Sequence, residues 1–288
     1  MPDIRLIAMD MDGTLLKYAK ETGVYIPAEN AAVLHRCAAA GIHLALCSGR
    51  MPDDAGFFAR DEELPMHVIG LNGGVILDQP AGDPVYERYL PEAIARRVLA
   101  ILMEYSVDVA VFGAWEVVSM QDRPLSWAQL ALGTYFGRDG GRLVYRNCGE
   151  GVDALLSRTD KIVALSPDHP DMLAEAKARI HAAFPELCIS SSWRTNFEVN
   201  PAGTDKGCAL RALADRLHIP MSQVMAIGDN DNDIPMLKAA GYGVAMGNAT
   251  ASAKAAARCI TLSNDECGVA AAIRALVFGE IVPGMTIR

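Results

Sequence analysis

The chain has no C-x-x-C pair, no block of lysines and arginines, no internal repeat and no low-complexity tract. Its longest apolar runs also fall well short of the ~20 residues that a membrane helix needs. Each absence removes a class of protein. The seven cysteines are odd in number and scattered, so they suit neither a disulfide frame nor a zinc site and read as reduced core residues of an intracellular protein. With 26 Lys and Arg against 35 Asp and Glu, the net charge of −9 argues against nucleic acid or an anionic membrane as the main partner. Asp3 and Arg5 flank a short apolar stretch without a cleavable signal pattern, so a cytoplasmic location is expected. At 51% hydrophobic residues the chain is too apolar for disorder, and 288 residues suit one large domain or two.

What is present is two acidic clusters far apart in sequence. Asp10-Met11-Asp12-Gly13-Thr14 follows the apolar run Ile4–Met9, and Gly228-Asp229-Asn230-Asp231-Asn232-Asp233 follows Val224–Ile227. Both place carboxylates where a buried strand gives way to a loop, the end at which open α/β sheets bind ligands. Carboxylates gathered there repel one another unless a cation lies between them. Hard oxygen donors of this kind suit Mg²⁺, which commonly also takes water and a phosphate oxygen.

The organisation around these clusters is a strand–helix alternation. Ile4–Met9, His43–Cys47 and His67–Leu71 read as strands and Ala28–Ala40 as a helix ended by Gly41, which implies a parallel sheet covered by helices. From about Gly82 to Trp193 the pattern changes. Helices are expected over Pro91–Tyr105, Trp127–Phe136 and His169–Phe184, and strands over Val107–Phe112, Glu116–Met120, Arg142–Arg146 and Lys161–Leu165, with turn residues over Arg138–Arg142. The first rhythm resumes near Asn196. It gives helices Thr204–Leu217, Asp233–Ala240, Ala249–Ala257 and Gly268–Phe278 and strands Gln223–Ile227, Tyr242–Met246 and Ile260–Leu262. The expected fold is α/β, a Rossmann-like parallel sheet formed by residues 1–81 and 194–288, with an α+β cap inserted as residues 82–193.

Single residues admit two readings each. Asp10 and Asp12 are also what a strand end and an Asx turn before Gly13 would carry. Ser48 and the amides around Gly49 can hold phosphoryl oxygens, and Ser48 can equally cap the following segment. Arg50 could reach an anion or simply be exposed. Lys206 stands at a helix start, where the dipole disfavours a cation, and such breaches of local rules mark functional sites; a solvated Lys is the alternative. Asp229, Asp231 and Asp233 alternate like a calcium loop, but Ile234 and Ala240 stand where that template needs Gly and Glu. Asn232 or Asp233 also suits a helix N-cap. Asn72-Gly73-Gly74 reads as a hairpin turn, and Asn264-Asp265-Glu266 as a helix entry. Cys47 has no nearby His to activate it. Trp115, Trp127, Tyr135, Arg138 and Arg142 could form a specificity wall, or be core aromatics and solvated arginines.

Four motifs in order, Asp10-Met11-Asp12-Gly13-Thr14-Leu15, Ser48-Gly49-Arg50, Lys206 within Gly203–Gly207, and Gly228–Asp233, resemble those of haloacid dehalogenase superfamily phosphatases. The place of the insertion, after Asn72-Gly73-Gly74 and before Lys206, resembles the Cof-like group with a large second-type (C2) cap. The resemblance covers both ends of the core, and the cap only in size and position. It implies a Mg²⁺-dependent hydrolase of small phosphomonoesters, a sugar phosphate or related metabolite, working through an aspartyl-phosphate. Asp10 is then the nucleophile, Asp12 the acid and base, and Lys206 the neutralising cation. The metal is implied to lie on the Asp10 carboxylate, the Asp12 main-chain oxygen and Asp229, with Asn232 and Asp233 orienting metal waters or Lys206. Ser48, Gly49 and Asn72 are implied on the phosphoryl side. Family dehalogenases lack the second acid, so Asp12 favours phosphoryl transfer. A phosphomutase would use the same pair, and a non-catalytic metabolite sensor would have no need of Asp12. The sequence does not specify oligomeric state.

Overall fold

The structure, a computed structural model, describes residues 2–19, 23–131, 142–191 and 195–287. In chain order its main elements are β1 (Leu6–Met9), β2 (Lys17–Ala19), β3 (Gly23–Tyr25), α1 (Ala28–Ala39), β4 (His43–Cys47), α2 (Pro52–Asp61), β5 (Met66–Gly70), β6 (Val75–Leu77), β7 (Pro84–Glu87), α3 (Glu92–Leu102), β8 (Asp108–Gly113), β9 (Glu116–Ser119), α4 (Leu125–Ala131), β10 (Val144–Arg146), α5 (Val152–Leu155), β11 (Lys161–Leu165), α6 (Pro170–Ala183), β12 (Cys188–Ser190), β13 (Asn196–Asn200), α7 (Lys206–Arg216), β14 (Val224–Gly228), α8 (Ile234–Ala239), β15 (Tyr242–Ala245), α9 (Ala251–Ala256), β16 (Cys259–Ile260), α10 (Gly268–Leu276) and β17 (Thr286–Ile287). They divide into two compact units, one of residues 1–49, 55–85 and 205–288 and one of residues 50–54 and 86–204.

The first unit is built on a nine-stranded sheet in the order β17-β16-β15-β14-β1-β4-β5-β6-β7. Its middle is parallel: β1 pairs with β14 on one side and β4 on the other. Leu6 through Met9 are wholly buried, as expected of a parallel strand covered on both faces. The register sets Met9 against Ile227 and against Leu46, so these three strands end level. Asp10, Asp229 and Ser48, in the loops beyond them, therefore emerge at one carboxyl-terminal edge. β5 and β6 form an antiparallel hairpin through the turn Leu71–Gly73, and β17 runs antiparallel to β16.

The second unit has a six-stranded sheet, β10-β9-β8-β11-β13-β12, antiparallel except for β9 with β10. Alternate residues Val109, Val111, Ile162, Ala164, Phe197 and Val199 face a core shared with α3 and α6, which contribute Ala95, Val98 and Leu102, and Leu173, Ala176 and Ile180. These are the i, i+3, i+7 positions of an amphipathic helix. On the other face Lys161 and Glu198 form a buried ion pair at 3.0 Å.

Several expectations shift. Residues 194–204 were assigned to the core sheet; instead β13 belongs to the six-stranded sheet, and the boundary of the first unit falls at Asp205. The hairpin β2–β3, α2 and the strands β6, β7 and β12 were not anticipated. The expected helix Trp127–Phe136 is described only as Leu125–Ala131; Tyr135, Arg138 and Trp193 lie outside the described residues. The cysteines are all free, but Cys148 and Cys208 are exposed, because each sits on a solvent-facing turn or first helical turn instead of a core face. Among the described residues no helix is long and apolar enough to cross a membrane.

Candidate active site

The loop after β1 leaves the helical path at Asp12 (φ −78°, ψ 116°) and at Gly13 (φ +83°). Gly13 is required twice over. Its backbone is left-handed, and a Cβ there would stand 2.6 Å from Asp229 Oδ2. Leu16 N donates to Met11 O at 2.9 Å and closes the loop. Two side chains brace it: Thr14 Oγ1 donates to Asp229 Oδ1 at 2.8 Å, and Asn248 Nδ2 donates to Gly13 O at 2.9 Å.

Lys206 opens α7, whose N-cap is Asp205, with its side chain accepting from Cys208 N. The lysine is 1% exposed, so its aliphatic stem is packed and the ammonium is shielded from bulk solvent. It donates to Asp10 Oδ1 at 2.6 Å and to Asp233 Oδ1 at 2.6 Å. The other oxygen of Asp233 accepts from the backbone amides of Asp229 (2.9 Å) and Asn230 (3.0 Å), which fixes this carboxylate and leaves it with protein donors on both oxygens. A Cβ at Gly228 would meet Asp233 at 2.6 Å, so this approach needs glycine.

Asp10, Asp229 and Asp233 present oxygens that all lie within 4.8 Å of one another. Burial raises the Asp10 carboxyl well above the usual carboxylate range; the Lys206 charge opposes this, and Asp233 and Asp229 add to it. Asp229 is pushed up to about 6, by burial first, with the Thr14 hydrogen bond opposing. Burial would lower Lys206, but the charges of Asp10 and Asp233 outweigh it and hold the ammonium protonated. One buried cation thus faces three carboxylates. Two of them, Asp10 and Asp229, are held in a state that a second cation would relieve, so this donor set, all hard oxygen, fits a divalent metal.

The remaining residues fall around this centre. Asn72 sits in the left-handed region (φ +55°) at the β5–β6 turn, and its Oδ1 accepts from Asn232 Nδ2 at 3.3 Å. It is both the hairpin turn and a neighbour of the acidic loop. A Cβ on Gly49 would stand 3.0 Å from the same Asn72 oxygen, and Asn72 N donates to Ser48 O at 3.0 Å. Ser48, Gly49, Asn72 and Asn232 therefore form a second group of contacts. Ser48 itself is buried.

Other readings resolve differently. The turn Asp231–Asp233 is capped by Asn230, and Asp233, not Asn232, occupies the N-cap position of α8, without a side-chain cap hydrogen bond. Asp231 turns outward and accepts from Thr250 (2.9 Å) and Ser252 (2.5 Å), so the three alternating aspartates do not converge as in a calcium loop. Ser263 and Glu266 form a capping box over Asn264–Glu266, as a helix entry would. Burial pushes the Cys47 thiol far up, which removes it as a nucleophile. In the second unit Arg142 lies 3.8 Å from the Trp115 ring centroid, and Arg50 pairs with Asp54 at 2.8 Å.

Sequence reasoning missed Asn248 and Tyr18. Asn248 directly precedes the expected helix Ala249–Ala257 and carries no signal of its own. Tyr18, whose hydroxyl donates to Asp12 Oδ1, lies in a three-residue strand with no periodic signal.

A Rossmann-like sheet with an acidic cluster and one buried lysine at its carboxyl-terminal edge defines the class, an enzyme of α/β fold with its site at the strand ends. The comparisons give the family. A haloacid dehalogenase-like hydrolase family model matches residues 7–273. Phosphatase YwpJ of Bacillus subtilis is 31% identical over 283 residues, covering 93% of this chain and 98% of the relative. The 5-amino-6-(5-phospho-D-ribitylamino)uracil phosphatase YwtE of the same organism is 30% identical over 296 residues, 96% of this chain and 99% of its own. Among solved structures, a haloacid dehalogenase-like hydrolase from Bacteroides thetaiotaomicron superposes with a TM-score of 0.80 at 26% identity, covering 95% of this chain and 99% of its own. The chain belongs to the haloacid dehalogenase-like hydrolases.

Proposed function

We propose that the protein is a Mg²⁺-dependent phosphatase that hydrolyses small phosphomonoesters, a sugar phosphate or related phosphorylated metabolite, through an aspartyl-phosphate. The observation that carries this reading is the double contact of Lys206, 2.6 Å from both Asp10 and Asp233, beside the Asp229 carboxylate. A buried lysine so held supplies fixed positive charge where a dianionic phosphoryl group would meet a carboxylate nucleophile.

Asp10, Asp229 and the main-chain oxygen of Asp12 would hold the metal, which when bound supplies charge neutralisation between nucleophile and phosphoryl group. The protein's own residues do the rest. Asp10 attacks phosphorus as the ester P–O bond breaks. Asp12 gives its proton to the departing oxygen, then takes one from the water that hydrolyses the aspartyl-phosphate. Asp233, saturated by two amides, holds Lys206 in place without competing for the substrate. Ser48, Gly49 and Asn72 form a polar group suited to phosphoryl oxygens. The name of YwtE, a phosphatase for a phosphorylated ribityl compound, supports a small phosphorylated metabolite as substrate class.

The test is phosphate release from a panel of phosphorylated metabolites with Mg²⁺. Asp10→Asn should abolish turnover while the circular dichroism spectrum is unchanged. Near-normal rates in the pure variant, with deamidation excluded, would sink the covalent route. Turnover should also fall when Ca²⁺ replaces Mg²⁺, because Ca²⁺ takes more ligands at longer bonds. Full activity after exhaustive chelation would contradict the metal assignment.

A further inference from the structure

The hairpin β2–β3 follows the site loop directly, with Lys17 opposite Tyr25, Tyr18 opposite Val24 and Ala19 opposite Gly23. Its base is anchored: Leu16 N bonds to Met11 O, and Lys17 Nζ donates to Asp265 O at 2.6 Å. Tyr18 is different. The residue is 62% exposed, and its hydroxyl donates a hydrogen bond to Asp12 Oδ1. Asp12 has non-helical backbone angles (φ −78°, ψ 116°), between buried Met11 and left-handed Gly13. The loop around it is braced by Thr14 on Asp229 and by Asn248 on the Gly13 carbonyl.

We propose that Tyr18 is a positioning residue for Asp12, its hydroxyl holding the carboxylate in the orientation from which it serves the leaving-group oxygen. The inference rests on the acid–base reading of Asp12 given above. The chemistry is consistent across both halves of the reaction. A hydroxyl that donates to Oδ1 makes that atom the acceptor, so in the acid form the transferable proton sits on Oδ2. As the P–O bond breaks, its electron pair goes to the leaving oxygen, which takes that proton, and Asp12 is left as carboxylate. As water then bonds to phosphorus and the Asp10–phosphorus bond breaks, Asp12 recovers a proton from the water. Tyr18 keeps its own proton throughout and touches neither substrate nor phosphorus. The tyrosine thereby places one end of the carboxylate, and selects the other end for transfer. Misplacing a proton donor by a rotamer costs rate without costing binding.

The experiment compares Tyr18→Phe and Asp12→Asn with the parent on phenyl phosphate, whose leaving oxygen needs a proton, and on 4-nitrophenyl phosphate, whose leaving group departs without one. Tyr18→Phe should lower kcat on phenyl phosphate about tenfold, a fraction of the ~10²–10⁴ that full acid–base help supplies, with KM within about twofold. Single-turnover cleavage of 4-nitrophenyl phosphate should stay within about twofold, and the melting temperature should hold, since the ring is exposed. Asp12→Asn should show the same leaving-group bias, more strongly. The inference is overturned if Tyr18→Phe matches the parent on both substrates, or loses both equally while Asp12→Asn keeps its bias. If Asp12→Asn itself shows no bias, the acid role of Asp12 falls and the role of Tyr18 with it.

Discussion

Lys206 stands wholly inside the protein between two carboxylates, and the energetics of such a residue are asymmetric. Removing one partner of a buried pair is far more damaging than the pair is stabilising, because a desolvated charge is left behind. Lys206→Met would leave Asp10 and Asp233 facing each other with no cation. It should therefore cost about 3–5 kcal/mol of stability, read as a lower urea midpoint, as well as activity. Asp160, in the second unit, makes the converse case. It is 1% exposed and neither carboxylate oxygen has a hydrogen-bond partner among the described residues. Burial first, then the charge of Glu87, raise it to about 8, against the opposing charges of Arg158 and Lys161. A carboxyl whose folded value exceeds its unfolded one, near 3.9, binds its proton more tightly when folded. Its contribution to stability is complete below about pH 4 and is lost as pH rises through about 8. Asp160→Asn should therefore raise the melting temperature at pH 9 more than at pH 5, and an equal shift at both would contradict the raised value.

Among the elements, the loop Asp10–Leu16 shows how a few backbone positions set a site. Gly13→Ala would place a methyl group 2.6 Å from Asp229 Oδ2 and strain a φ of +83°. The backbone strain alone is roughly 1–2 kcal/mol, small beside the expected loss of activity, which we put at a hundredfold or more if Asp229 is displaced. Measuring kcat and the melting temperature of the same variant separates the two. This loop, and those carrying Ser48, Lys206 and Asp229, were legible in the sequence because each follows a strongly apolar strand or opens a helix with residues that break the local pattern. Lys161–Leu165 was placed to the residue for the same reason. The hairpin β2–β3 was not legible: its strands are three residues long and largely exposed, so no alternation distinguishes them from loop. Helix α2 carries Asp53 and Asp54 early and Gly56 within, which conceal its apolar face. β13 holds Glu198 and Asn200, both buried, and its place in the second sheet is hidden because polar residues seldom fill an inner strand. The partners that excuse them, Lys161 and the β12 backbone, lie elsewhere in the chain.

On the scale of the molecule, every residue proposed for the phosphoryl chemistry belongs to the first unit, whereas the second contributes an independent core of its own. Replacing residues 86–204 by a short linker should leave a soluble protein that binds Mg²⁺ and turns over acetyl phosphate slowly. Its preferences among larger phosphorylated metabolites should flatten. If a folded variant, verified by circular dichroism, kept the parent's ranking of kcat/KM, the residues that remain, around Arg50 or Asn72, would themselves hold the selectivity.

The central strand β1 is made almost first and completed almost last. It gains β4 on one side within the next few dozen residues, but its other neighbour, β14, begins at Val224. On the ribosome, then, a wholly apolar strand waits with an open edge while the whole second unit is synthesised and folds. Such an edge is a template for pairing with another chain. Nascent chains arrested before Val224 should thus be the aggregation-prone species of this protein and the ones that bind chaperones, while release past Asp233 should at once bury the edge and assemble the carboxylate cluster. Solubility of chains truncated at 220 and at 250, compared after translation in a chaperone-free extract, would show whether the step lies there.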